Sequence, residues 1–225
     1  MMRQLLWKDY RLNGTVLLII AIIVFGIYGI GIATQVHSSW PHMPSTVDWG
    51  DMLVSYGTVA LYLTIFFAAL LGGNAIAAER ADRSAHFLAY LPPTKTQILA
   101  SKFIVSFCAM LVVWVLILLS LRVAGWLSGQ PVELSSGVTA RGALDLCILT
   151  FGMGWLASAS LQTAIFPIII AISSPIALSF AIVLVCDLLG IPRFQMGPYA
   201  EHASIWTGLV AFALGTWNYF HRIEP

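Results

Sequence analysis

Charge is what this sequence has least of: Asp, Glu, Lys and Arg make up 9% of its 225 residues, against about a quarter in soluble domains. With 59% hydrophobic residues and a mean hydropathy of +0.88, a water-soluble globular domain is excluded. The eleven Lys and Arg are balanced to a net charge of +1 and form no concentrated basic face, which argues against a nucleic-acid partner. Cysteine is also scarce. Cys108, Cys147 and Cys186 lie in apolar stretches, are odd in number and show no CxxC spacing, so neither a disulfide framework nor a zinc site is supported. No Gly-Lys pair occurs, which excludes a phosphate-binding P-loop and hence ATP chemistry within this chain. A small-x-small cleavage pattern after the first apolar run is missing as well, so the chain is expected to begin near Met1 without a cleaved leader.

What is present is apolar length. Runs over Gly14 to Ala33, Leu53 to Ala78, Phe103 to Leu127, Ala143 to Leu161, Ala164 to Leu189 and Ser204 to Phe220 predict six membrane-spanning helices, since about 20 apolar residues cross a hydrocarbon core. The expected fold is therefore all-α, a single polytopic membrane domain over residues 1–225 with no room for a separate soluble unit. Only Gln162-Thr163 divides the fourth and fifth runs, and their combined length implies a tight hairpin there, with Pro167 helping the turn. In the fifth run Pro175 removes a backbone donor, so a bent or broken helix is expected, its freed carbonyls taken up by Ser173 and Ser174.

Sidedness follows from the basic residues. With the N-terminus inside, Arg3, Lys8, Arg11, Arg80, Arg83, Lys95, Lys102 and Arg222 are cytoplasmic and Arg122, Arg141 and Arg193 are outside, an eight-to-three bias. Both termini are then cytoplasmic and the chain is integral to an inner or plasma membrane. Residues 1–13 read as a separate interfacial helix. Met2, Leu5, Leu6 and Leu12 share one face, Arg3, Gln4, Lys8 and Arg11 the opposite one, and Trp7 and Tyr10 suit the headgroup boundary. Asp9 on the apolar side weakens that pattern, and an ordinary positively charged flank of span one is the alternative.

One polar interruption stands out, residues 78–93 between spans two and three. Glu79, Arg83, His86 and Tyr90 fall on one helical stripe, with Ala77, Ala81, Ala85 and Leu88 on the other side. A row of small residues, Ala69, Gly73, Ala77, Ala81, Ala85 and Ala89, predicts that helix two continues past the membrane. Pro92 and Pro93 must end it, after which Thr94 is placed to cap the next helix. The bland reading of these charges is a solvated loop.

Trp7-Lys8-Asp9-Tyr10-Arg11 ahead of span one, Ala78-Glu79-Arg80, and Leu88-Ala89-Tyr90-Leu91-Pro92-Pro93-Thr94-Lys95 leading to Ser101-Lys102 together resemble the ABC type-2 permease family, the six-span membrane subunits of ATP-driven exporters. The resemblance implies a non-catalytic permease whose segment 78–93 is a coupling helix. In it Glu79, Arg80, Arg83, His86, Phe87, Leu88, Leu91 and Pro92 meet the nucleotide-binding subunit, and Trp7, Lys8, Tyr10 and Arg11 belong to the interfacial helix. It also implies a separate ABC ATPase chain that holds ATP and magnesium, no cofactor in this chain, and pairing with itself or with a second permease. The alternative is a membrane-embedded regulatory or assembly protein that moves no substrate.

Other constellations are weaker. Arg122, Asp145 and Asp187 near the outer span ends are candidates for one intramembrane charge cluster, with Arg141 a competing local partner of Asp145 and simple structural pairing the plainer reading. His37, His42 and Met43 have copper-type donor atoms but read as ordinary loop residues, and no metal site is assigned. Ser158 and Ser160 would need a base for intramembrane nucleophilic catalysis, and all five histidines lie elsewhere, so these serines read as helix-packing residues.

Overall fold

In hydrocarbon every backbone N–H and C=O must be satisfied within the chain, and an apolar sequence of this kind meets that demand as helix. The computed structural model describes residues 2–39, 42, 44–81, 94–128, 140–161, 163, 165–192 and 196–222, the side chains of 78–81, 128, 140 and 222 excepted. Six helices and no strand occur among them: α1 (Met2–Ser39), α2 (Thr46–Ala81), α3 (Lys95–Ser128), α4 (Ala140–Ser160), α5 (Ile165–Leu188) and α6 (Met196–Arg222). The first five are long and apolar enough to cross a membrane, whereas α6 falls short in hydropathy.

Two starts are capped reciprocally. Ser45 and Asp48 exchange side-chain and backbone hydrogen bonds ahead of α2. The Gln97 N–H donates to Thr94 Oγ1 and the Thr94 N–H to Gln97 Oε1, so Thr94 caps α3 as its sequence position indicated. Within α5 the helix runs unbroken through Pro175, so the expected break is not there. Proline leaves the Ala171 carbonyl without its usual donor, and Ser174 Oγ donates to it at 2.7 Å.

The N-terminal segment also departs from expectation. Residues 2–13 are helical, but they are the first turns of an uninterrupted 38-residue α1 and not a separate element. The face they bury is Leu5, Asp9 and Asn13, one residue per turn; Leu12 is exposed. Asp9 sits on that stripe because it has a partner on α3, which outweighs the cost of burying a carboxylate.

α2 and α4 form the buried centre, flanked by α1 and α3 on one side and by α5 and α6 on the other. Contacts fix the directions. Thr64, Ile65, Gly72 and Ile76 of α2 meet Cys147, Thr150, Phe151 and Ser158 of α4 in the same order, so the two run parallel. Along α4 and α6, Gly152 meets Gly208, Leu156 meets Gly215 and Ser160 meets Asn218, again parallel. α1 and α3 are parallel too, tied at Asp9–Ser101 and at Tyr28–Ser120. Alternate helices pointing the same way is the pattern of a chain that traverses one layer repeatedly.

The close α4–α6 approach requires glycine. A Cβ on Gly152 would collide with the Gly208 carbonyl, and one on Gly208 would lie 2.6 Å from the Ile148 carbonyl oxygen. Around this seam Phe103, Phe151, Trp155 and Phe212 pack with ring centroids 5.2–6.4 Å apart, and Trp155 is fully buried with Nε1 donating to Thr216 Oγ1.

Candidate functional site

The residues expected to meet a motor subunit, Glu79, Arg80, Arg83, His86, Phe87, Leu88, Leu91 and Pro92, lie in segment 78–93, whose side chains are outside the described residues. Its two roots are described. α2 carries the chain helically to Ala81, and α3 takes it up again at Lys95. Each root is held by a buried polar contact with a different helix.

At the outgoing root, the N–H groups of Ile76 and Ala77 donate to Ser158 Oγ of α4 at 2.9 and 2.8 Å. Ser158 is fully buried. These N–H groups lie four residues after Gly72 and Gly73, the positions at which the α2 backbone touches Phe151 and Gly154 of α4. A side-chain oxygen inserted at a helix ladder is a recognised site of helix bending, and here it fixes the last buried turn of α2 to α4. The small-residue row read from the sequence is realised over its described part: Ala69, Gly73 and Ala77 are all buried.

At the returning root, Lys102 Nζ lies 3.6 Å from Asp9 Oδ1, and Ser101 Oγ donates to Asp9 Oδ2. Both charged side chains are 3% exposed. Asn13 Nδ2 donates to the Asp9 carbonyl oxygen one turn further along α1 at 2.9 Å. Two opposite charges this deep hold each other in place, since neither recovers its hydration without moving the helix that carries it. The first turns of α1 are thereby fastened to the second turn of α3.

Of the other residues singled out in α1, Trp7, Tyr10 and Arg11 are exposed and Lys8 reaches the tie. Trp7 and Tyr10 are 61% and 60% exposed, Arg11 is exposed with its guanidinium 5.4 Å from the Trp7 ring centroid, and the half-buried Lys8 lies 4.0 Å from Asp9 Oδ1. Asp145 is buried on α4, and its Oδ2 has no hydrogen-bond partner among the described residues. Its electrostatic neighbours are Arg141, Glu201 and His202. Arg122 and Asp187 are exposed on α3 and α5, so the three do not make one buried cluster. Arg141, one turn before Asp145, is the local partner that the sequence offered.

Sequence reasoning passed over the Asp9–Ser101–Lys102 tie. The signal was there as a mismatch, a carboxylate on an apolar face and a lysine at a span boundary, but their pairing needs the fold. Compared with known families, residues 6–213 match the family described as ABC-2 family transporter protein. No curated protein and no solved structure matches the chain.

Proposed function

Because this chain belongs to the ABC-2 transporter family, and is therefore an integral membrane component of an ABC transporter, we propose that it is the permease subunit of an exporter driven by ATP hydrolysis in a separate nucleotide-binding subunit. The family implies an ABC ATPase partner. Segment 78–93 is its docking element, with Glu79, Arg83, Phe87 and Leu88 in contact and Pro92 setting the exit. ATP and magnesium reside in the partner, and this chain contributes no catalytic group. A second permease, a copy or a relative, completes the pore.

The observation that carries the reading is the anchoring of both roots of this segment. A helix pushed by a motor transmits force only where its ends are fixed to something that spans the membrane. Here one end is fixed through Ser158 to α4 and the other through Lys102 and Ser101 to α1. A solvated loop has no need for either contact, and each carries the cost of a desolvated polar group.

Six crossings and two cytoplasmic termini belong to the same proposal. α6 runs parallel to α4 from Gly208 beside Gly152 to Asn218 beside Ser160, so a membrane that α4 crosses is crossed by α6. Hydropathy understates α6 because its polar residues Thr216 and Asn218 bond to α4. The eight-to-three distribution of basic residues supports the N-terminus-in orientation.

The test is a mild-detergent pull-down of the tagged chain. A copurifying ATPase is expected, and its loss from a Glu79→Arg, Phe87→Ala variant that still elutes as a single species. No ATPase with the intact, monodisperse chain would overturn the motor-driven reading and favour a regulatory membrane protein.

A further inference from the structure

α1 and α3 run side by side, joined near one end by Asp9 to Ser101 and Lys102 and near the other by Tyr28 Oη and Ser120 Oγ at 2.5 Å. Along the two helices between these ties lies an apolar groove of about 790 Å³. Leu17, Ala21 and Val24 line it from α1, and Ile104, Cys108 and Val112 from α3. Its volume is within the range of about 300–1,000 Å³ typical of small-molecule sites. Asp9 and Tyr28 are 19 residues apart, so the groove extends for about 28 Å at 1.5 Å per residue. That is the depth of one bilayer core, about 30 Å.

The two ends of the groove differ in charge. Across their full lengths α1 and α3 carry a single acid, Asp9, which is buried against Lys102. Toward the Tyr10 end, Arg3, Lys8 and Arg11 lie within two turns of Tyr10 on α1 and Lys95 begins α3. Arg3, Tyr10, Leu17 and Val24 recur every seven residues, so the exposed Arg3 continues the groove-lining stripe beyond the apolar part. Trp7 and Tyr10 place exposed amphipathic rings at the same level, the arrangement found where a helix passes through the headgroup region. At the opposite end Leu53 lines the groove, and the neighbouring exposed charges on α2 are the acids Asp48 and Asp51. Arg122 of α3, two residues beyond the groove-lining Ser120, offsets one of these two acids, so an anion is favoured at the first end over the second.

We propose that this groove is a binding site for an anionic glycerophospholipid, its phosphate among Arg3, Arg11 and Tyr10 and an acyl chain between α1 and α3. An acyl chain matches the wall chemistry, the membrane depth and the length together. The charge at the mouth selects an anionic over a zwitterionic headgroup. This proposal rests on α1 and α3 crossing the membrane and needs no ATPase.

Native mass spectrometry of the full chain tests it, after reconstitution into nanodiscs of phosphatidylcholine alone or mixed with phosphatidylglycerol and release into detergent. The expected result is one phosphatidylglycerol retained per chain in preference to phosphatidylcholine. Arg3→Gln with Arg11→Gln, both at exposed positions, weakens retention by about fivefold per charge removed. Ala21→Phe, which fills the groove, abolishes retention while leaving the chain monodisperse and helical. Equal retention of both lipids overturns the proposal, as does preference that survives Ala21→Phe, which would place the lipid on the general basic surface. A released dimer that Ala21→Phe converts to monomer also overturns it, because a second copy would then occupy the groove. The measurement is made without the partner subunit, so any of these failures leaves the permease reading where it stands.

Discussion

A carboxylate and an ammonium taken out of water cost several kcal/mol each unless they meet with good geometry, and Asp9 and Lys102 meet at 3.6 Å with 3% of each side chain exposed. Removing one of them is expected to cost more than the pair contributes. Asp9→Ala should lower stability by about 3 kcal/mol, and Asp9→Leu combined with Lys102→Met should recover most of that loss, because no buried charge is then created. Thermal unfolding in detergent checks the order: single variant lowest, double variant close to the parent. If instead the two losses simply add, the tie is not an energetic unit. Asp9 also shows where residue-level reading stops. Its helical phase was legible, and so was its conflict with the apolar face around it. Its partner lies 93 residues away, and no local pattern names it. Thr94 and Ser174 were legible for the opposite reason, since each bonds to a group three residues away.

Elements are positioned by backbone contact at glycine and by one inserted hydroxyl. Gly208→Ala should destabilise the α4–α6 pair by about 1–3 kcal/mol, because the new Cβ would meet backbone atoms of Ile148 and Leu149 that cannot retreat like a side-chain tip. Gly26→Ala, at a position where nothing lies within 4 Å, should be neutral or slightly stabilising in the same unfolding assay. Equal effects at the two sites would remove close packing as the reason for Gly208. Ser158→Ala leaves the N–H groups of Ile76 and Ala77 without their oxygen, at a cost of about 1–2 kcal/mol. Faster amide exchange confined to the lower turns of α2 would locate that cost, and unchanged exchange there would contradict it. Helix existence and order were readable from hydropathy, because each span must satisfy its own backbone. Which glycines face a neighbour was not: Gly26 and Gly152 look alike in sequence and differ only in what stands opposite them. The continuity of α1 was missed because its basic first turns resemble a surface helix, whereas the stripe they bury, Leu5, Asp9 and Asn13, carries two polar residues.

For the whole molecule, the parallel run of α4 beside α6 is the observation that supports the proposed sixth crossing. A C-terminal green fluorescent protein fusion is expected to fluoresce and a C-terminal alkaline phosphatase fusion to be inactive, as a cytoplasmic terminus requires; the reverse pattern would contradict six crossings from a cytoplasmic N-terminus. Membrane class and helix order could be read from composition and from the succession of apolar runs. The proposed route of force out of segment 78–93 could not, since the contacts at its two roots join residues 82 and 92 positions apart. The most direct test of that route is a pair of spin labels at Leu12→Cys on α1 and Ser160→Cys on α4, in a Cys108→Ser background, with the distance read in the copurified ATPase complex before and after ATP with vanadate. The account expects a nucleotide-dependent change in distance that disappears when Asp9→Leu and Lys102→Met are introduced into the still-assembled complex. An undiminished change in that variant would contradict it and place the path of force elsewhere.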